Sequence, residues 1–199
     1  TATDGSISGT ATVTVSAGAL ATITVTPSSP TLAIGATQTF TAAGADVNGN
    51  PVAVTPTWSV AASSSGSITS GGVFTAGTVA GTFANTVTAT DGSISGTATV
   101  TVSAGGLATI TVTPNPVTLA IGAERTFTAA GADANGNAVA LTLTWSVDPL
   151  VGGGSITSGG VFTAGTVAGT FANTVTVTDG SISRSEERRV GKECSVACR

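Results

Sequence analysis

The chain has 199 residues and a formal net charge of −4, with 8% charged residues and no histidine, methionine or tyrosine. Up to Ser183 a single basic residue, Arg125, stands against seven acids (Asp4, Asp46, Asp91, Glu124, Asp133, Asp148 and Asp179), a balance of −6 in a stretch without lysine or cysteine. An acidic, lysine-free surface excludes nucleic acid as a partner, the lack of any run of about 18 apolar residues excludes a membrane-spanning helix, and few charges among many Thr, Val, Ala, Gly and Ser residues indicate an ordered all-β chain rather than a disordered one.

Repetition organises everything that follows. Residues 1–18, TATDGSISGTATVTVSAG, return letter for letter at residues 88–105. ATITVTP at Ala21 returns at Ala108, TLAIGA at Thr31 at Thr118, and TFTAAGAD at Thr39 at Thr126, all shifted by 87. From Gly66, GSITSGGVFTAGTVAGTFANTVT matches Gly154 at a shift of 88, because one residue is inserted in the loop after Trp145. An insertion there marks that loop as surface. The chain opens inside a repeat, so the lack of a basic segment followed by an apolar stretch, hence of a signal peptide, says nothing about secretion.

Taken in chain order, the predicted elements are short strands with period-two alternation. Residues 1–16 read as the terminal strands of a preceding repeat. Ile23 and Val25 then share a face, Leu32 and Ile34 follow a proline, and Phe40 and Ala42 share the next face. Trp58 with Val60, Val87 with Ala89, and Ala98 with Val100 and Val102 complete the unit. Thr or Ser fills nearly every opposite position, which suits antiparallel strands with one face in a core and one in water. Phe40, Trp58, Val60, Val87 and Val100 are the expected core, and in the second unit Phe127, Trp145, Val147 and Val175. VNGNP at Val47 and DGS at Asp91 carry Asn-Gly and Asp-Gly pairs suited to two-residue hairpins, and SGG at Ser70 and AGT at Ala76 punctuate the rest. Seven or more short strands in about 87 residues describe a β-sandwich with one small core.

The ordered series V-T-P, L-A-I-G, D-x-N-G-N, T-W-S, G-x-F-T-A and G-T-A-T-V-T-V, in full over Leu20 to Ala104 and in part over Leu107 to Ser183, resembles the bacterial immunoglobulin-like domain, group 2, also described as invasin- or intimin-like. That resemblance implies tandem immunoglobulin-like Greek-key β-sandwiches without the inter-sheet disulfide of antibodies. It also implies a non-catalytic spacer or adhesive module of a bacterial or phage surface protein, extracellular, with neighbouring repeats of the same chain as partners and a host or cell-surface protein or glycan as ligand. The alternative reading is an accessory carbohydrate- or protein-binding module of a secreted enzyme or phage tail fibre. The expected domains are 1–18, terminal strands of a truncated repeat; 19–105, a complete module; 106–183, a second module lacking its last strand; and 184–199, a non-native tail.

That tail, RSEERRVGKECSVACR, stands where GTATVTV is expected, and it resembles the in-frame translation of a sequencing-library adapter. Read as native, Cys194 and Cys198 without a histidine are half a zinc site. Residues 1–16 then encode the strand the second module lacks, and strand-swapped self-association of the isolated chain is expected from it.

Catalytic chemistry finds few groups. The first 183 residues hold no His, Cys or Lys to serve as a tunable base or nucleophile. The carboxylate pairs Asp46 with Asp91 and Asp133 with Asp179 lie in turn sequences, where aspartates satisfy local backbone donors. No cofactor is expected. Asp46, Asn48 and Asn50, with Asp133, Asn135 and Asn137, place oxygens at alternate positions as calcium loops do, and are weak calcium candidates. The glycine falls at the fourth place rather than the sixth and the twelfth residue is Thr57 or Thr144, so a plain hairpin competes with that reading. Trp58 and Trp145 at core parity are expected to pack rather than to form a sugar platform. Leu20 and Leu107, in the short joints, are available to seat against adjoining modules and stiffen a stalk.

Overall fold

Threonine alternating with valine, isoleucine or alanine gives each strand one apolar face. In the computed structural model of the protein these faces are buried within two separate units, Thr1–Ala104 and Gly105–Arg199. The structure describes residues 1–61, 65–148, 153–172 and 174–180 and the backbone of 182–184. Of the tail at 184–199 only the Arg184 backbone is included, so its reading, with Cys194 and Cys198, lies outside the described residues, as does most of the inserted loop.

Unit 1 begins with an exposed hairpin of β1 (Ala2–Asp4) and β2 (Ile7–Gly9). The sandwich comprises β3 (Thr22–Thr26), β4 (Thr31–Ala33), β5 (Thr37–Thr39), β6 (Thr41–Ala45), β7 (Pro51–Val52), β8 (Thr57–Val60), β9 (Gly66–Ile68), β10 (Val73–Ala76), β11 (Gly81–Asp91) and β12 (Ile94–Ser103). Only Phe40 separates β5 from β6, and its N–H donates to the Gly72 carbonyl at 2.8 Å. One nearly continuous run therefore serves two neighbours, β6 pairing with β3 and β5 with β10, which makes a layer of β3-β6-β7 and β5-β10-β9. The second layer runs β4-β12-β11-β8, with β4 parallel to β12 and the other pairs antiparallel. This is an all-β, immunoglobulin-like Greek-key sandwich.

Between the layers lie Ile23, Val25, Leu32, Phe40, Phe74, Val87, Ala89, Val100 and Val102, all buried. Phe40 and Phe74 meet edge to face at 6.1 Å, a favoured aromatic geometry. Phe40, Val87 and Val100 are core as expected; Trp58 and Val60 are half-buried and pack against the core from its side. The reason is their position on β8, an outer strand of its sheet. The β6–β7 turn also departs from a two-residue hairpin. Asp46 C=O accepts from Gly49 N–H at 3.0 Å, and Gly49 alone takes a positive φ, 82°.

Unit 2 repeats this plan with β13 (Thr109–Thr113), β14 (Glu124–Thr126), β15 (Thr128–Ala132), β16 (Ala138–Val139), β17 (Leu143–Val147), β18 (Gly154–Ile156), β19 (Val161–Ala164), β20 (Val175–Asp179) and β21 (Ile182–Arg184). Phe127 and Phe162 reproduce the edge-to-face pair at 6.0 Å, and Val177 is fully buried. Phe127 is buried as expected, whereas Trp145, Val147 and Val175 are half-buried. Among the described residues three pieces of unit 1 lack counterparts: β4, the first half of β11, and β12 beyond its first residues. All three belong to one hydrogen-bonded group, since β12 pairs with both β4 and the start of β11. β20 is accordingly five residues long where β11 has eleven.

Candidate functional site

The residues most tightly organised by polar contacts are the two D-x-N-G-N turns. Each follows a strand whose last residues pair with its sheet neighbour, β6 in unit 1 and β15 in unit 2, so that the aspartate is carried to the edge of the layer and turned inward. Asp46 is 4% exposed and Asp133 3%.

A buried carboxylate must be satisfied, and four N–H donors do this. Asp46 Oδ1 accepts from the backbone N–H groups of Asn48 and Asn50, each at 2.9 Å. Oδ2 accepts from Asn50 Nδ2 at 3.0 Å and from the backbone N–H of Gly18 at 2.7 Å. Asp133 repeats the set with Asn135, Asn137 and, at 2.8 Å, Gly105 N–H. The Asn50 side chain first, then the Gly18 N–H and the backbone of Asn50 and Asn48, hold the Asp46 carboxyl at about 2, below the ordinary 3.8, against the opposing effect of burial. The Asn137 side chain leads in lowering Asp133 to about 2, burial again opposing.

Within each unit the three calcium candidates are thus brought together, but the contacts that join them are N–H groups donating to that unit's one carboxylate. Asn48 and Asn135 contribute backbone N–H only in these bonds. Among the described residues no cluster of three or more His, Cys, Asp or Glu side chains could hold a metal ion. Gly18 and Gly105 are the partners that the sequence reading missed. Each precedes its aspartate by 28 residues, and a Cβ on either would lie 3.3 or 3.4 Å from a carboxylate oxygen. No side-chain signal marks either glycine, since each contributes only a backbone N–H.

The clasp fixes the first residues of each sandwich to that sandwich's own turn. Leu20 and Leu107 act with it: a Cβ at Gly44 would lie 2.7 Å from Leu20 Cδ1, and one at Gly131 2.8 Å from Leu107 Cδ1. These leucines, expected to reach toward adjoining modules, instead fill the space left by a glycine in their own unit. The carboxylate of Asp91 accepts the Thr55 N–H at 2.8 Å. Trp58 and Trp145 lie with their indole edges against Gly72 and Gly160, where a Cβ would come within 3.1 Å.

No family model matches the chain, and no curated protein matches it. Among solved structures it is similar to domains 5–6 of the surface-layer protein SbsC, at 19% identity over 83% of this chain and 93% of that one, with a TM-score of 0.37. It is also similar to SbsC domains 1–6, at 22% identity over 85% of this chain and 27% of that one, TM-score 0.40. A third is FdeC, an Escherichia coli adhesin, at 23% identity over 82% of this chain and 60% of that one, TM-score 0.45. The chain thus spans less than two thirds of FdeC and of the longer SbsC structure.

Proposed function

We propose that the chain is a non-catalytic, tandem immunoglobulin-like spacer and adhesion module of the group 2, invasin- or intimin-like kind, working outside the cell on a bacterial or phage surface protein. The observation that carries this reading is the duplicated clasp, Asp46 to Gly18 and Asp133 to Gly105. A buried acid tying the entering backbone to the module it enters shortens the free joint to a few residues, and short joints make a series of sandwiches semi-rigid. In this reading the acids are clasps and take no calcium, and serine and threonine faces keep the stalk hydrated with few charges.

Small-angle scattering of the full chain tests it. The wild type is expected to fit a narrow range of end-to-end distances, and Asp133→Ala, which frees Gly105, a broader one with a lower mean. A wild type already as broad as the variant removes the stalk.

A further inference from the structure

We propose that the open side of unit 2 accepts a β-strand, and that the strand it takes is residues 10–16 of a second copy of this chain. The acceptor is a groove of about 830 Å³ lined by Ile110, Val112, Leu119, Phe127, Phe162 and Phe171. Their counterparts in unit 1, Ile23, Val25, Leu32, Phe40, Phe74 and Phe83, belong to the core that β12 helps to close with Ala98, Val100 and Val102. Closure changes exposure. Val25 and Leu32 are 3% and 9% exposed, whereas Val112 and Leu119 are only half-buried. Ile121, at the groove's edge, is 61% exposed, while its counterpart Ile34 packs against the core.

The donor is written in the same chain. Residues 9–16, GTATVTVS, are identical to residues 96–103, which form nearly all of β12. Here residues 10–16 form no strand, and Val13 and Val15 are 82% and 89% exposed. The equivalents of these two valines, Val100 and Val102, are 0% and 1% exposed. Unit 1 shows the backbone partners that such a strand takes. Thr99 and Thr101 N–H groups donate to the carbonyls of Ser28 and Pro30 at 2.9 and 3.0 Å. In unit 2 the matching carbonyls are those of Asn115 and Val117, and in the donor the matching N–H groups are those of Thr12 and Thr14. The chain's own continuation is a poor filler, since the sequence positions of Ala98 and Val100 are taken by Glu186 and Arg188, and unpaired charges resist burial.

Strand addition of this kind joins backbone hydrogen bonding to alternate apolar pockets. Donor and acceptor are different segments of one chain, so the contact is heterologous and extends into open oligomers unless it closes a ring.

Sedimentation velocity of the full chain is the first measurement. The wild type is expected to shift to faster-sedimenting species as concentration rises, and Val13→Glu with Val15→Glu, both at exposed positions, to remain monomeric with the melting of unit 1 unchanged. A peptide spanning residues 8–17, added to that double variant, is expected to raise the melting temperature of unit 2, and the same peptide with both glutamates to leave it unchanged. A wild type monomeric at every concentration overturns the proposal, as does assembly that survives the double substitution. Failure of the peptide to stabilise unit 2 overturns it as well, because any association would then be arm against arm.

Discussion

At Asp46 and Asp133 a single side chain decides how a module begins. Each carboxylate meets its fixed set of N–H donors only in the folded state, so its pKa falls to about 2 from 3.8. A group whose folded pKa is depressed contributes stability that is whole above its unfolded pKa and is lost as pH falls through the folded one. The contribution is therefore complete above about pH 4 and gone near about pH 2. Asp46→Ala is expected to lower the melting temperature of unit 1 by several degrees at pH 7, and the difference from wild type to shrink to nothing by pH 2. A difference that persists unchanged at pH 2 would assign the loss to packing instead. The turn half of this clasp was legible, because aspartate bonding to N–H groups two and four residues on is local chemistry. Its other half was not: Gly18 contributes only a backbone N–H, and nothing in a glycine's side chain announces a partner 28 residues away.

Among elements, β4 shows how far local sequence reaches. TLAIGA occurs identically at Thr31 and Thr118, yet residues 31–33 form a strand and residues 118–120 do not. Alternation makes a segment able to pair; a partner makes it a strand. β4 has Thr101, Val102 and Ser103 of β12 beside it, and the start of β11 has Val100, Thr101 and Val102. Strand positions and the inward faces of Ile23, Val25, Phe40, Val87 and Val100 were therefore readable from period two, while membership of the finished sheet was not. The same limit explains Trp58, whose parity is inward but whose strand lies at the rim of the layer. Amide hydrogen exchange checks the pairing argument directly. In the arm-disabled variant, which cannot lend its strand, residues 31–33 and 81–83 are expected to exchange on the order of a hundredfold more slowly than residues 118–120 and 169–171. Equal rates would mean that the second unit finds another partner for these segments.

At the scale of the whole molecule, one nearly duplicated sequence yields two units that are unequal among the described residues, and the inequality lies in the segments that pair with β12 in unit 1. Unit 1 buries a serine hydroxyl against a threonine where β11 bulges, Ser65 to Thr86 at 3.1 Å. Unit 2 has Gly153 at the serine's place, and there Thr174 Oγ1 turns to the Phe171 carbonyl at 2.8 Å. That local difference is small beside the substitution of Arg188 for the valine that unit 1 has at Val100, since full burial of one valine side chain stabilises by about 1.5–3 kcal/mol. Heating the arm-disabled chain is thus expected to give two transitions, the lower belonging to unit 2. Replacing residues 184–191 by GTATVTVS writes the β12 sequence into the chain's own continuation, changing Glu186→Ala and Arg188→Val and leaving Val190, the counterpart of Val102, as it is. The graft is expected to stabilise unit 2 by about 1.5–3 kcal/mol, an upper range because unfolded chains already bury part of such surface, and to bring the two transitions together. It also fills the groove, so a grafted chain that retains residues 10–16 should no longer associate. If the graft leaves the lower transition in place, the weakness of unit 2 lies in its loops and not in its open side.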